Sequence, residues 1–135
     1  MEEYIDAFDD PKVVEQGLGR YKDQWSADAH AWFRAEKPRA FTMELDASTE
    51  DAGAVNVELW YTRASDYGIV DLWLNGQKVA GWDGYNADAV IRDNLVFPAV
   101  VKEGANKVEV RVIGKNSQSR GFLAGIDCFR ATPRP

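Results

Sequence analysis

The sequence predicts an all-β fold, an antiparallel β-sandwich. Seven or eight short segments alternate apolar and polar residues, which is the period of a strand with one buried face. Turn-forming clusters such as STEDAG (48–53) and KEGANK (102–107) separate them. Only one stretch, after Pro11, suggests a helical turn, ended by the glycines at 17 and 19. Strands at this spacing are typical of two packed antiparallel sheets.

Each predicted strand has its own pattern. AFTMELDA (40–47) and AVNVELWYT (54–62) alternate strictly, and YGIVDLWLNG (67–76) ends in an Asn-Gly pair that suits a type I′ hairpin turn. In AVIRDNLVFPAVV (89–101), Pro98 predicts an edge strand or a bend. The remaining predicted strands are AHAWF (29–33), KVEVRVI (107–113) and FLAGIDCFRA (122–131).

Length, charge and composition narrow the function classes. The 135 residues predict a single β-sandwich domain over 1–135, with 1–28 as an irregular segment packing on it and 131–135 as a proline-rich tail. A net charge of −6 without a basic stripe argues against nucleic acid as a partner. No run approaches the ~18 apolar residues of a membrane span, and the acidic start MEEYIDAFDD does not resemble a signal peptide. We therefore expect no membrane partner.

The single cysteine and the single histidine are both interpreted as structural. Cys128 lies in an apolar run and has no second cysteine with which to form an internal disulfide. His30 lies between two alanines beside Trp32, and a lone histidine of this kind is more often a hydrogen-bonded structural group than a base or metal ligand. Asp127 alternates with apolar neighbours, so we expect it to be partly buried and hydrogen bonded.

The order of several short motifs resembles the jelly-roll, galactose-binding-like carbohydrate-binding accessory domains of bacterial carbohydrate-active enzymes. The resemblance spans roughly residues 15 to 130, including QWSADAHAWF (24–33). One departure is Gly84, which lies between the acid and the tyrosine of one motif and is expected to loosen that loop. The matching motifs are Asp66-Tyr67-Gly68, Asn75-Gly76, Asp83 with Tyr85, Gly104 to Asn106, and Gly125 to Asp127.

The first candidate binding site is a flat aromatic platform. Strand parity places Trp60 and Trp73 on outer faces, out of register with the inward Val and Leu residues. Indole faces stack on the C–H faces of sugar rings, while Glu58, Asp71 and Arg63 could hydrogen bond to hydroxyls. The alternative is that the first forty residues or another domain cover both indoles.

The second candidate binding site is a loop rim. Trp82, Asp83 and Tyr85, together with Asp66 and Tyr67, fall in or next to predicted loops, which a rigid sandwich holds in place. Their carboxylates and phenols could take sugar hydroxyls, or could supply oxygen ligands for a structural Ca²⁺ that the resemblance implies. The alternatives are that Asp66 caps a turn and that Tyr67 is hydrogen bonded to the backbone.

The resulting prediction is a non-catalytic module that binds a glycan or polysaccharide and is attached to a catalytic domain, in an extracellular or periplasmic protein. We expect no enzyme, because no nucleophile elbow, zinc-binding helix or nucleotide loop occurs and the acids form no evident catalytic pair. The alternatives are a structural or self-association domain with the indoles as interface anchors, and a small hydrolase or lyase.

Overall fold

The predicted antiparallel β-sandwich is confirmed. A computed structural model describes residues 8–18 and 29–135, and in these ranges nine strands form two antiparallel sheets. The five-stranded sheet has the order β1-β2-β9-β4-β7 and the four-stranded sheet has the order β3-β8-β5-β6. The strands are β1 Val13–Gly17, β2 Ala29–Phe33, β3 Arg39–Ala47, β4 Gly53–Arg63, β5 Ile69–Leu74, β6 Gln77–Asp83, β7 Ile91–Val101, β8 Gly104–Gly114 and β9 Ala124–Pro133.

The core lies between the two sheets and contains the inward residue of each alternating pair. Phe33 of β2 packs edge-on against Phe8 and against Phe41 of β3, with ring centroids 5.1 and 5.3 Å apart. Elsewhere in the core, the Tyr61 ring of β4 stacks on the Trp82 ring of β6, with ring centroids 4.8 Å apart. The contacts of Phe33 with Phe41 and of Tyr61 with Trp82 join strands of opposite sheets, so they fix how the two layers face each other.

Two terminal segments differ from the expectation. The stretch after Pro11 is a strand, β1, and not a helical turn, because Val13 enters the core and β1 pairs along its length with β2. At the other end, β9 continues through the predicted tail as far as Pro133. A proline lacks only the N–H group, so its carbonyl can still pair at the end of a strand. Residues 19–28, where the rest of the expected irregular segment falls, lie outside the described residues together with 1–7.

The expected turns and edges agree with the structure. Asn75 and Gly76 have φ angles of 50° and 83°, as a type I′ turn requires. Pro98 lies in β7, which is an edge strand of the five-stranded sheet. Within the described ranges no helix is long and apolar enough to cross a membrane.

Asn106 connects two turns and strand β3 at one end of the sandwich. Its side chain is fully buried, and Nδ2 donates to the carbonyls of Leu45, Lys102 and Gly104 at 3.2, 2.9 and 3.1 Å. Its Oδ1 accepts from the Lys102 N–H at 3.0 Å and from Asn75 Nδ2 at 2.9 Å. One amide therefore satisfies the β7–β8 turn and links it to β3 and to the β5–β6 turn.

Replacing Asn106 by alanine should destabilise the fold strongly. The change leaves several buried backbone groups without partners, and we expect the free energy of unfolding to fall by about 3 kcal/mol or more. Urea denaturation measures this loss. The control variant Asn56→Ala, on the exposed face of β4, should change the free energy of unfolding by less than about 0.5 kcal/mol. Equal stability of the two variants would contradict the connecting role of Asn106.

Candidate functional site

Trp60 and Trp73 do not form one platform. Both side chains point outward, as strand parity predicts, but Trp60 belongs to β4 in the five-stranded sheet and Trp73 to β5 in the four-stranded sheet. The two indoles therefore lie on opposite outer faces of the sandwich. The shared aromatic platform is wrong because parity gives the side of a strand and does not give the sheet to which the strand belongs.

The face around Trp73 is closed by a charged network. The Arg111 guanidinium lies 3.9 Å from the centroid of the Trp73 ring, and it also donates to Glu109 Oε2 at 3.0 and 3.1 Å. Glu109 is nearly buried and pairs with Lys107 as well, at 3.6 Å. Lifting Arg111 off the ring would leave that carboxylate partly unpaired, so stacking of a ligand here is unfavourable.

The face around Trp60 is differently arranged. The guanidinium groups of Arg92 and Arg130 lie 5.1 and 5.8 Å from its ring centroid, and they come from β7 and β9, the strands on either side of β4. Glu58 lies two residues before Trp60 in β4 and on the same face. Its carboxylate accepts hydrogen bonds from Arg130 at 2.9 Å and from Asn94 Nδ2 at 2.8 Å. We call these five residues the Trp60 face.

The two arginines of the Trp60 face are held unequally. Arg92 Nε donates at 2.7 Å to Asp127, whose side chain is fully buried, so this arginine is fixed. Arg130 is 69% exposed, whereas its partner Glu58 is half-buried. Because the cation of this ion pair is largely solvated, the pair contributes only about 1 kcal/mol, so a ligand can displace Arg130 at small cost and reach the indole.

Sequence reasoning identified Trp60 but missed Arg92, Asn94 and Arg130. The signal that could have found them is the strand register, because Asn94 and Cys128 are the cross-strand partners of Trp60 and the two arginines lie two residues from these partners. That register depends on an extra residue in β9, Asp127, which shifts the pairing between Trp60 and Tyr61. No local sequence pattern shows where this bulge occurs.

Trp82 is a core residue and not an exposed rim residue. It is 7% exposed and stacks on Tyr61 inside the sandwich. The sequence predicts a loop at Trp82, but β6 continues to Asp83, and the Trp82 indole lies on the inward face of this strand. Tyr67 is also buried, stacked on the His30 ring at 6.4 Å, so it offers no exposed surface to a ligand.

In the rest of the rim, the side chain of Asp83 and the backbone carbonyls of Tyr85 and Asp66 take part in structural contacts. Asp83 is exposed, but its Oδ1 accepts from the Tyr85 N–H and its Oδ2 from Asn116 Nδ2, both at 3.0 Å. Tyr85 is half-buried, and its carbonyl accepts from Arg63 at 2.9 Å. Asp66 is half-buried and its carbonyl accepts from the Leu123 N–H at 3.2 Å. The structure thus brings these residues together as a frame for the loops.

The rim loops hydrogen bond to one another through their backbones. The Gly84 N–H donates to the Gly68 carbonyl at 2.9 Å, and the Gly68 N–H donates to Leu123 at 2.8 Å. The Ala64 N–H donates in turn to the Gly84 carbonyl at 2.9 Å. A Cβ on Gly84 would lie 2.7 Å from the Gly68 oxygen. The expectation that Gly84 loosens this loop is therefore wrong, since the glycine permits a close and rigid approach.

A buried polar cluster lies behind the Trp60 face. His30 is fully buried, with Nδ1 2.7 Å from Thr62 Oγ1 and Nε2 2.6 Å from Gln16 Oε1. The Gln16 oxygen can only accept, so Nε2 carries the proton and Nδ1 accepts from the Thr62 hydroxyl. Burial lowers the pKa of His30 from 6.5 to about 4, against the opposing charge of Asp127. The structural interpretation of His30 fits this arrangement.

A metal site receives no support from the side chains. Within 8–18 and 29–135, no three His, Cys, Asp or Glu residues are grouped so that they could hold a metal ion. The exposed carboxylate of Asp83 is engaged with Asn116 and with the backbone, as described above. Ca²⁺ is also bound by backbone carbonyl and amide oxygens, so the calcium ion that the resemblance implies stays a prediction.

Comparison with solved structures shows proteins of the same fold. The chain matches a Paenibacillus xanthan lyase structure with a TM-score of 0.73 at 17% identity, over 90% of this chain and 12% of that chain. It matches a family 35 carbohydrate-binding module from Paenibacillus barcinonensis with a TM-score of 0.59 at 16% identity, over 91% and 90% of the two chains. A family 35 module from Clostridium thermocellum gives 0.56 at 12% identity, over 94% and 96%.

Most of these similar structures are family 35 or family 36 carbohydrate-binding modules, so the predicted jelly-roll fold is confirmed. At these identities the likeness establishes the fold and leaves the ligand open. No protein-family model and no curated protein matches the chain by sequence. The chain spans 12% of the xanthan lyase but nearly the whole length of the separate modules.

Adding a methyl group at Gly84 should loosen the rim. We expect Gly84→Ala to lower the free energy of unfolding by about 1–3 kcal/mol, because the new Cβ would meet the Gly68 carbonyl. Gly17→Ala is the matched control, since nothing lies within 4 Å of a Cβ built there. Urea denaturation compares the two, and a neutral Gly84→Ala variant would contradict the rigid rim.

Acid should destabilise the fold through His30. The unfolded chain binds a proton on His30 below its ordinary pKa of 6.5, whereas the folded chain does so only near pH 4. Stability is therefore lost as the pH falls from 6.5 to 4, by about 2 kcal/mol at pH 5 and about 3 kcal/mol at the end of this range.

The variant His30→Gln isolates this effect, because glutamine can form hydrogen bonds in the same place but does not titrate. Urea denaturation between pH 7 and pH 4 should give the variant a shallower loss of stability than the original chain. The carboxylates contribute equally to both, so parallel curves would show that His30 does not cause the pH dependence.

Proposed function

We propose that this chain is a non-catalytic carbohydrate-binding module and that Trp60 is its principal contact with the glycan. The observation that carries the proposal is the Trp60 face: an outward indole with one fixed guanidinium, one displaceable guanidinium, a carboxylate and an amide. An aromatic ring with polar groups around it suits the apolar faces and the hydroxyl groups of a sugar. The fold supports the same role, since the similar structures include separate carbohydrate-binding modules.

Attachment to a larger protein is part of the proposal. The similar xanthan lyase contains this fold as 12% of its chain, whereas the family 35 modules consist of little else. A weakly binding domain of this kind acts by raising the local concentration of an attached catalytic domain on its substrate. We place such a protein outside the cytoplasm, where polysaccharides are accessible. The bacterial origin is proposed on the resemblance alone.

The exposed valines on β7 favour a second candidate function. Val96 and Val100 are 64% and 66% exposed, and they lie on the same outer sheet surface as Trp60. A patch of this kind is suited to packing against another domain. On that alternative Trp60 and the valines are interface residues, and the isolated domain would self-associate or bind no sugar.

Replacing Trp60 should abolish most of the glycan binding. A screen of the chain on a glycan array, followed by titration of the best ligand, gives the affinity, and we expect Trp60→Ala to weaken it about ten-fold or more. Trp73→Ala is the matched control, an outward indole already covered by Arg111, and it should leave the affinity within about two-fold.

Two results would contradict the proposal. Equal binding by the original chain and Trp60→Ala would remove the Trp60 face as the site. Failure to bind any glycan, together with self-association in sedimentation velocity that Val96→Asp abolishes, would favour the interface instead. Addition of Ca²⁺ and of EDTA in parallel titrations tests whether any binding needs calcium.

A further inference from the structure

A cavity opens between the two sheets, at the end of the sandwich away from the rim loops. Its volume is about 330 Å³, and the side chains that line it come from both sheets. Among the described residues they are predominantly aliphatic and aromatic, including Met43, Leu59, Leu72, Phe97, Val110 and Phe129. This space is part of neither the Trp60 face nor the rim.

The size of the cavity is unusual for the interior of a protein. Packed cores contain few voids larger than a water molecule, and a cavity of 150 Å³ lined by apolar groups already binds benzene. Met43, Val57 and Leu72 lie in the middle of their strands and still retain 7–9% of their exposure. The interior is therefore open to solvent from one end. An apolar ligand that enters the cavity would remove this apolar surface from water, which favours binding.

The depth of the cavity favours an elongated ligand. Val55, Val57 and Leu59 line it in succession along β4, which at ~3.3 Å per residue gives a depth of roughly 13 Å. A cavity of about 330 Å³ with this depth has room for an extended aliphatic chain that runs between the two sheets.

The open end of the cavity carries negative charge. Asp46, Glu50 and Asp51 line it, and the turn that bears two of them is held in place. Within this turn the Ser48 hydroxyl donates to Asp51 at 3.0 Å, and Thr49 Oγ1 donates across to Glu103 at 2.7 Å. A carboxylate head group would be repelled here and a cationic head group attracted.

We propose that this chain binds a single-chain cationic amphiphile between its two sheets, with the aliphatic chain in the cavity and the head group at Asp46, Glu50 and Asp51. The site is separate from the glycan site proposed above. It would tether the domain to an amphiphile without any contact from Trp60.

The test compares two ligands with the same ten-carbon chain, decyltrimethylammonium and decanoate, each below its micelle-forming concentration. Isothermal titration calorimetry should show decyltrimethylammonium binding about ten-fold tighter than decanoate, because the apolar chains are nearly equal and the head groups carry opposite charges. Methyl NMR of the same samples should show shifts and ligand contacts at Met43 and Leu72. Absence of binding by both ligands, or contacts confined to the outer surface, would overturn the proposal.

A pair of variants on one strand then locates the ligand. Ala99→Leu fills the cavity from β7 and should weaken binding ten-fold or more, whereas Val96→Leu adds volume on the exposed face of the same strand and should leave binding unchanged. The NMR contacts in the original chain decide the matter independently if Ala99→Leu folds poorly. Trp60→Ala should bind the amphiphile normally, so loss of glycan binding and loss of amphiphile binding are distinguishable.

Discussion

The ion pair between Arg92 and Asp127 is the interaction on which the outer face of the five-stranded sheet depends. The extra residue in β9 directs the Asp127 side chain to a place with no solvent exposure, where a carboxylate needs a charged partner. Arg92 supplies it by reaching across β4 from the edge strand β7, and this path lays its guanidinium beside Trp60. The charge on Asp127 also acts on the neighbouring His30.

The same combination of arginine, carboxylate and indole gives opposite results on the two faces of the sandwich. Next to Trp73, the only guanidinium described near the ring is held by the nearly buried Glu109, so the ring stays covered. Next to Trp60 the two arginines differ, since Arg92 is held by the fully buried Asp127, whereas Arg130 is itself exposed and its partner Glu58 is only half-buried. Accessibility of an aromatic ring to a ligand is therefore set by how firmly its covering cation is anchored.

The sequence predicts most of the fold because alternation and turn chemistry are local. The inward residues of β3, β4 and β8 and the turn at Asn75 could be read directly from the chain. The candidate site was harder because it depends on which strands become neighbours, and on one extra residue in β9. Gly84 illustrates the same limit: a glycine in a loop suggests freedom, until its distance to the Gly68 carbonyl is known.

The two ends of the sandwich differ for a physical reason. At the rim, the glycines let three loops approach closely enough to exchange backbone hydrogen bonds, so that end is closed by the main chain itself. At the other end, short turns joined through Asn106 and Thr49 hold the strands but do not cover the apolar interior between the sheets. A jelly roll closed at one end and open at the other can offer an interior site without disturbing an exterior one, because strand alternation keeps inward and outward side chains separate.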